Sequence, residues 1–146
     1  LNSILGVARS HNRYRQLDRE LSLIQNELFD LGAELAGAPQ IGEEHVRRLE
    51  QLLDKLNAQL GPLQEFILPA GTPTAAALHQ ARTVCRRAER DCVRLARQEQ
   101  IATGVVPYLN RLGDALFVLA RWANRAAKRR ETYWVSRSTA SGRTGR

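Results

Sequence analysis

The amino-acid sequence predicts an all-α protein, an up-and-down bundle of four or five helices. In several long segments, apolar residues recur at alternating steps of three and four, which places them along one side of a helix. No segment shows the sustained apolar–polar alternation, bounded by turn residues, that is typical of a strand. Because the segments share one near-heptad period, we expect ferritin-like left-handed packing.

Two helices are predicted before residue 37. Residues 1–10 form a short helix, whose apolar side carries Ile4, Leu5 and Ala8. A second helix of about six turns should run from Asn12 to Leu35. Its apolar positions are Leu17, Leu21, Ile24, Leu28, Leu31 and Leu35. The stretch Gly37-Ala38-Pro39 should end it, because glycine and proline both disfavour a continuing helix.

A third helix is predicted to begin at Glu43 and Glu44, where two acids complement the partial positive charge of a helix start. Gly61-Pro62 should end the regular helix, since proline removes a backbone donor and restricts the residue before it. The apolar positions of this helix are Val46, Leu49, Leu53, Leu56, Leu60 and Leu63.

The last two helices have well-marked starts. Thr72 is a good N-cap for the fourth, and Pro73 suits the first helical position, where no N–H is needed. Its apolar positions are Leu78, Ala81, Cys85, Ala88, Cys92 and Leu95. The fifth follows Thr103-Gly104 and has Pro107 in its first turn. Its apolar positions are Val105, Leu109, Leu112, Leu116, Leu119, Ala123 and Ala126.

The charge balance is compatible with anionic partners, and genome base composition explains the arginine bias equally well. The formal net charge is +7, and arginine supplies nearly all of the positive charge. Apolar runs fall well short of the roughly 20 residues that span a bilayer, so no membrane partner is expected. No signal-peptide pattern is present, and we expect a cytoplasmic protein, with an organelle left open.

The cysteines and histidines predict neither a disulfide nor a metal site. Cys85 and Cys92 are seven residues apart on one helix, so their Cα atoms lie about 10.5 Å apart. A disulfide needs less than about 7 Å, and both should be buried free thiols. The histidines are scattered singly. A ferritin-like di-metal centre would need Glu-x-x-His pairs on facing helices, which are missing from the sequence.

Charged residues crowd one flank of the fourth helix. Arg82, Arg86 and Glu89 are spaced i, i+4, i+7 and therefore lie beside one another. Arg87 and Arg90 raise the charge further within about two and a half turns. This density favours an anionic ligand. The alternative is an arginine ladder paired with Glu89 in a salt bridge between subunits.

Three more residues stand beside apolar positions. Asn110, on the fifth helix, has an amide that can cap a neighbouring backbone or contact a ligand. Phe66 lies in an apolar loop before the fourth helix, and Phe117 lies on the fifth helix. By pattern alone, such aromatic residues belong to a core more often than to a ligand site.

Three sequence stretches stand out: EFILPAG (65–71), LHQARTVCRRAER (78–90) and PYLNRLGDALFVLAR (107–121). Together they closely resemble the PduO-type ATP:cob(I)alamin adenosyltransferases, or corrinoid adenosyltransferases. The resemblance covers nearly everything from Leu1 to about Asn124.

The sequence departs from this family in two places. The family usually reads Pro-Gly-Gly where this chain has Pro69-Ala70-Gly71. The family's glycine- and threonine-rich N-terminal segment, which binds ATP phosphates, does not occur in this sequence. Leu1-Asn2 looks like the tail of the family's Asp-Glu-Leu-Asn motif, so we expect these residues to be part of a longer protein.

The resemblance implies attack of Co(I) on the 5′-carbon of ATP, which expels triphosphate and forms adenosylcobalamin. The substrates would be ATP, accompanied by Mg²⁺, and cob(I)alamin or cob(I)yrinic acid a,c-diamide. Since cobalt is itself the nucleophile, no catalytic serine, cysteine or base is needed. A homotrimer with active sites between subunits is implied as well, with a reductase as the source of Co(I).

The family's motifs also assign roles to single residues on the ATP side. Arg82 and Arg86 would bind the phosphates, and Arg82 would also be catalytic. Glu89 would orient an arginine rather than touch substrate. Asn110 matches an asparagine that contacts ATP in the family.

On the corrinoid side, the resemblance assigns Phe66 and Phe117. Phe66 would press on the lower face of the corrin and exclude the lower cobalt ligand. Four-coordinate Co(II) is easier to reduce, because the electron enters an orbital no longer raised by that ligand; Phe66 would therefore be catalytic. Phe117 would form a second apolar wall.

We expect one domain over residues 1–135 and a polar tail over 136–146. The alternative interpretation of the whole chain is a non-enzymatic basic helical adaptor that binds nucleic acid or an acidic partner. Against it, the most closely clustered arginines alternate with carboxylates, and no aromatic–basic platform for bases is apparent.

Overall fold

The computed structural model describes residues 1–63 and 65–136, which form five α-helices. The helices are α1 (Asn2–Ser10), α2 (Arg15–Leu35), α3 (Glu43–Leu60), α4 (Pro73–Leu95) and α5 (Val105–Ala126). The predicted all-α class is confirmed. Over the same residues, none of the helices combines the length and apolarity needed to cross a membrane. The predicted tail falls almost wholly outside the described part of the chain.

The second helix begins three residues later than predicted, at Arg15 instead of Asn12. The Asn12 side chain accepts a hydrogen bond from the N–H of Tyr14 (3.0 Å) and donates one to its carbonyl (2.9 Å). Such a side-chain turn competes with helical hydrogen bonding, and it separates α1 from α2.

The starts and ends around α3 and α4 follow the local sequence. Thr72 caps α4 by accepting a hydrogen bond from the N–H of Ala75 (3.1 Å), and Pro73 is the first helical residue. Gly61 ends α3 with a φ of 75°, a conformation that glycine adopts without steric cost.

Helix α5 is the centre of the bundle. It packs along α4 and α3 and also touches α2, while α1 packs against α4 and α2. Predicted apolar positions supply much of the core, including Leu5, Leu17, Leu21, Leu49, Leu56, Leu78, Leu109, Leu112, Leu116 and Leu119. Other buried residues, such as Leu52 and Tyr108, were not predicted. Leu35 and Leu63 are instead well exposed, because one ends α2 and the other lies beyond α3.

One polar cluster is buried within this core. The carboxylate of Glu27 on α2, only 4% exposed, accepts hydrogen bonds from Arg48 Nε on α3 (2.6 Å) and from the Tyr108 hydroxyl on α5 (2.8 Å). Burial alone would lower the pKa of Arg48, but the hydrogen bond and charge of Glu27 raise it. The cluster therefore ties three helices together through one carboxylate.

Both cysteines are buried free thiols, as predicted. The Cys85 thiol donates a hydrogen bond to the carbonyl of Leu109 (3.3 Å), which links α4 to α5. Burial raises the pKa of Cys85 to about 12, so this thiol stays protonated and unreactive in the folded protein.

Candidate functional site

Five of the predicted site residues lie along the contact between α4 and α5. The two helices are antiparallel, so residues late in α4 face residues early in α5. We call this set the α4–α5 row; its members are Glu89, Arg86 and Arg82 on α4, and Asn110, Gly113 and Phe117 on α5.

Glu89 connects the two helices at one end of the row. Its Oε1 accepts a hydrogen bond from Asn110 Nδ2 (2.8 Å), and its Oε2 lies 2.7 Å from Arg86 Nη1. The second contact is a close ion pair without hydrogen-bond alignment. One buried carboxylate thus holds an amide and a guanidinium in place.

Arg86 reaches outward from the middle of the row. Its stem crosses α5 at Gly113, where a Cβ atom would lie only 3.0 Å from Arg86 Cδ. The side chain is partly exposed, so the guanidinium remains accessible while Glu89 holds one edge of it. An arginine fixed in this way is preorganised to bind an oxyanion.

Arg82 lies beside an aromatic ring at the next turn of α4. Its guanidinium carbon is 5.3 Å from the centroid of the Phe117 ring, a cation–π contact. The Arg82 Nε atom is buried and has no hydrogen-bond partner among the described residues.

His79 adjoins this pair and was not singled out by the sequence. Its ring centroid lies 6.0 Å from that of Phe117, edge to face, and the side chain is buried. Burial lowers the pKa of His79, and the charge of Arg82 lowers it further, against a smaller opposing effect of Glu131. The imidazole is therefore kept neutral beside the arginine.

A basic pocket of about 700 Å³ opens along the outer side of α4. Five arginines line it, together with two acids and one valine: Arg86, Arg87, Arg90, Arg94, Arg97, Glu89, Asp91 and Val93. Arg94 is paired with Asp91, and Arg90 donates a hydrogen bond to the carbonyl of Arg86 (3.2 Å). Positive charge remains in excess, which suits a polyphosphate.

Phe66 lies outside the α4–α5 row, on the loop between α3 and α4. Its side chain is 76% exposed, which is incompatible with a core position. The ring packs edge to face on Trp134, with centroids 6.4 Å apart. The sequence did not predict this neighbour, which is contributed by the chain after α5.

Asn124 ties the Phe66 loop to α5. Its Oδ1 accepts a hydrogen bond from the N–H of Thr72 (2.9 Å), and its Nδ2 donates one to the carbonyl of Ala70 (3.1 Å). Gly71, between them, has a φ of 117°, and a Cβ atom there would lie 2.1 Å from Asn124 Oδ1. The turn therefore requires glycine at this position for both its conformation and its contact.

The described residues contain no group of three or more His, Cys, Asp or Glu side chains that could hold a metal ion.

Residues 1–123 match the sequence model of the family described as cobalamin adenosyltransferase. This chain belongs to the cobalamin adenosyltransferase family.

Individual members of the family are similar over most of the chain. A cobalamin adenosyltransferase of Cupriavidus metallidurans is 48% identical over 137 residues, which cover 92% of this chain and 74% of that protein. The corrinoid adenosyltransferase of Citrobacter freundii is 43% identical over 129 residues, 83% of this chain and 73% of that protein.

Solved structures of this family have the same fold. A variant of a PduO-type ATP:corrinoid adenosyltransferase from Lactobacillus reuteri, complexed with cobalamin and ATP, superimposes with a TM-score of 0.85. It is 36% identical, and the match covers 91% of this chain and 77% of the other. A second variant from the same organism, complexed with ATP, also gives a TM-score of 0.85, at 37% identity. That match covers 92% of the present chain and 81% of the Lactobacillus reuteri chain. The predicted family resemblance is confirmed, and it favours an enzyme over the basic adaptor.

Proposed function

We propose that this chain transfers the 5′-deoxyadenosyl group of ATP to the cobalt of cob(I)alamin, forming adenosylcobalamin and releasing triphosphate. The observation that carries the proposal is the α4–α5 row, in which Glu89 holds both Arg86 and Asn110 at one accessible surface. Cob(I)yrinic acid a,c-diamide is a second corrinoid substrate of the same chemistry.

The reaction needs no proton from the protein. The electron pair of Co(I) attacks C5′ of ATP and forms the cobalt–carbon bond. The C5′–O bond breaks, and its electron pair leaves with the triphosphate. What the protein must supply is charge stabilisation for the leaving group and an environment in which cobalt is reducible.

Arg86 and Arg82 serve the triphosphate. Glu89 orients Arg86 and keeps one edge of its guanidinium occupied, which leaves the opposite edge for phosphate oxygens. The Nε atom of Arg82 is buried and has no partner among the described residues, so this donor is left unsatisfied in the absence of a ligand. Asn110 is fixed on both sides, since its Nδ2 donates to Glu89 and its Oδ1 accepts from Arg111 (3.2 Å), and it would contact the nucleotide through the remaining acceptor capacity of Oδ1.

Phe66 and Phe117 serve the corrinoid. An aromatic ring that is 76% exposed on a loop can occupy the space that a lower cobalt ligand would take. Phe117 carries Arg82 on its ring and can form an apolar wall between the nucleotide and the corrin. Loss of the lower ligand makes Co(II) easier to reduce, and a reductase would provide the electron.

Magnesium would accompany the nucleotide. The ion prefers oxygen ligands and keeps several waters, so phosphate oxygens with few protein groups are sufficient to bind it. Removal of divalent ions with a chelator should then reduce turnover at limiting ATP and leave corrinoid binding unchanged.

A homotrimer with active sites between subunits is proposed as the assembly. Phe29 on α2 and Val7 on α1 are largely exposed apolar side chains, which a subunit contact would remove from water. Sedimentation equilibrium at micromolar concentration should return three times the mass of the chain. A stable monomer would overturn the assembly but not the chemistry.

The test of function is an anaerobic assay with ATP and chemically reduced cobalamin, followed by the absorbance of adenosylcobalamin. The protein carrying any natural N-terminal segment should be assayed beside residues 1–146. Product formation by the longer protein is expected. Its absence, with correctly folded protein and saturating substrates, would overturn the proposal.

A further inference from the structure

The chain after α5 returns to the Phe66 loop and pairs with it. The N–H of Leu68 donates to the carbonyl of Thr132 (2.7 Å), and the N–H of Trp134 donates to the carbonyl of Phe66 (2.8 Å). Ile67 and Tyr133 form the antiparallel bridge between these bonds. Phe66 and Trp134 are therefore directly opposite each other, as a cross-strand pair.

The rings of Phe66 and Trp134 contact each other although both residues are largely exposed. Their planes are inclined by 84°, with centroids 6.4 Å apart, an edge-to-face arrangement. Yet Phe66 is 76% exposed and Trp134 is 54% exposed, so the pair contributes little to the core. An exposed ring would normally sample several rotamers, and contact with a second ring restricts that choice.

Both paired segments are anchored to α5. Before Thr132, Glu131 accepts a hydrogen bond from Arg121 Nε (2.7 Å), and the Arg121 side chain is buried. After Leu68, the carbonyl of Ala70 is held by Asn124. The segment that carries Trp134 is therefore held to α5 independently of the Phe66 loop.

We propose that Trp134 is a positioning residue for Phe66, which holds the phenylalanine ring at the height and angle needed under the corrin. The inference rests on the proposed function, in which Phe66 displaces the lower cobalt ligand. Trp134 acts through Phe66 and has no separate part in ATP binding. Its loss leaves the phosphate side of the reaction unchanged.

The kinetic test is a double-mutant cycle with Phe66→Ala, Trp134→Ala and the double variant. Small misplacement of a reacting geometry costs on the order of ten- to a hundredfold, so Trp134→Ala should lower kcat by about that factor. KM for ATP should stay within about twofold. Because Trp134 acts through Phe66, the double variant should be no slower than Phe66→Ala alone, within about twofold.

Two variants control for general effects of losing a tryptophan. Trp134→Phe keeps an aromatic partner and should retain most of the activity. Trp122→Phe alters the other tryptophan, which contacts Tyr14 and donates to Gln59 (2.9 Å), and should behave as wild type. Thermal unfolding of each variant verifies that the fold is intact.

A second readout does not depend on turnover. The ring of Trp134 should shift the proton resonances of Phe66 in the substrate-free protein. We expect that shift in the wild type, a smaller one in Trp134→Phe and none in Trp134→Ala. An unchanged Phe66 spectrum in Trp134→Ala would overturn the inference, whatever the activity.

The kinetic and resonance measurements distinguish failure of the proposed function from failure of the positioning role of Trp134. A wild-type protein without adenosylation activity would contradict the proposed function, while the resonance test still decides whether Trp134 holds Phe66. Suppose instead that the wild type is active and that the double variant is slower than Phe66→Ala by the same factor by which Trp134→Ala is slower than wild type. That result would overturn the inference and leave the proposed function intact. Trp134 would then act independently of Phe66.

Discussion

The guanidinium carbon of Arg82 lies 5.3 Å from the centroid of the Phe117 ring. The contact joins a residue proposed for the triphosphate to one proposed for the corrinoid. The ring face attracts the guanidinium cation and so stabilises its charge in place of a carboxylate. Unlike a carboxylate, the ring leaves the N–H groups of Arg82 without an acceptor. The two substrates would therefore meet at the Arg82–Phe117 contact between α4 and α5.

Replacing Arg82 or Arg86 by alanine should weaken ATP use far more than corrinoid binding. Losing a charged donor to a developing oxyanion costs about 2–4 kcal/mol of transition-state stabilisation. The measurement is kcat/KM for ATP, with the Kd for corrinoid determined separately. Arg47→Ala, which removes an exposed arginine of α3, is the matched control.

Wild-type turnover at limiting ATP in both alanine variants would refute the phosphate assignment. The arginine ladder paired across subunits would then be the better interpretation. In that case, the same variants should lower the stability of the trimer.

Gly71→Ala should destabilise the turn that carries the Phe66 loop into α4. It combines a φ of 117° with a Cβ position 2.1 Å from Asn124 Oδ1, and such strain costs about 1–3 kcal/mol. Gly37→Ala is the control, because its φ is 93° but no atom lies within 4 Å of the added Cβ. Chemical denaturation should show the larger loss in Gly71→Ala; equal losses would mean that the Asn124 contact has no cost.

Glu27→Ala should cost about 3 kcal/mol of unfolding free energy, since it leaves the Arg48 charge and the Tyr108 hydroxyl without their common acceptor. Glu20→Ala removes only the longer contact to Arg48 (3.3 Å) and should cost less than about 1 kcal/mol. Denaturation at constant protein concentration compares the two. Similar losses would show that Tyr108 and the buried position of Glu27 contribute nothing.

The stability of the protein should fall when His79 is protonated. Since burial lowers its pKa below the ordinary 6.5, the unfolded chain binds the proton more readily than the folded one. The stabilisation is complete above pH 6.5 and is lost as the pH falls from there toward the folded pKa. Melting temperatures from pH 8 to 5 should decline less in His79→Gln than in wild type, and parallel curves would contradict this.

The helices could be predicted from the sequence because their signals are local. The three-four spacing of leucines identifies a buried face without knowledge of its partner, and Thr72-Pro73 marks a start by itself. The side-by-side placement of Arg82, Arg86 and Glu89 follows from helix geometry alone. The family motifs then associated Asn110 and Phe117 with them.

The remaining features depend on contacts between distant residues. Trp134 pairs with Phe66 across 68 positions, in segments too short to show strand alternation. The hydrogen bonds of Asn124 to Ala70 and Thr72 depend on how the loop folds back onto α5. His79 is a single histidine, and only the packing of Phe117 and Arg82 around it reveals its neutral state.

Phe66 is proposed to act on the cobalt and to contribute little to the stability of the fold. Replacing a buried phenylalanine by alanine lowers the free energy of unfolding by about 3–5 kcal/mol. For an exposed phenylalanine with a single ring contact, the loss should be about 1 kcal/mol. Phe66→Ala should therefore unfold close to the wild-type temperature and still bind corrinoid. Phe66→Trp, which retains an aromatic ring, is the control.

The most direct measurement is the spectrum of Co(II)alamin bound to Phe66→Ala in the presence of ATP, under anaerobic conditions. The wild type should show the four-coordinate Co(II) signal, and the variant should show five-coordinate cobalt and slow adenosylation. A four-coordinate signal of wild-type strength in Phe66→Ala would refute this role of Phe66, since the lower ligand would then be displaced without its side chain.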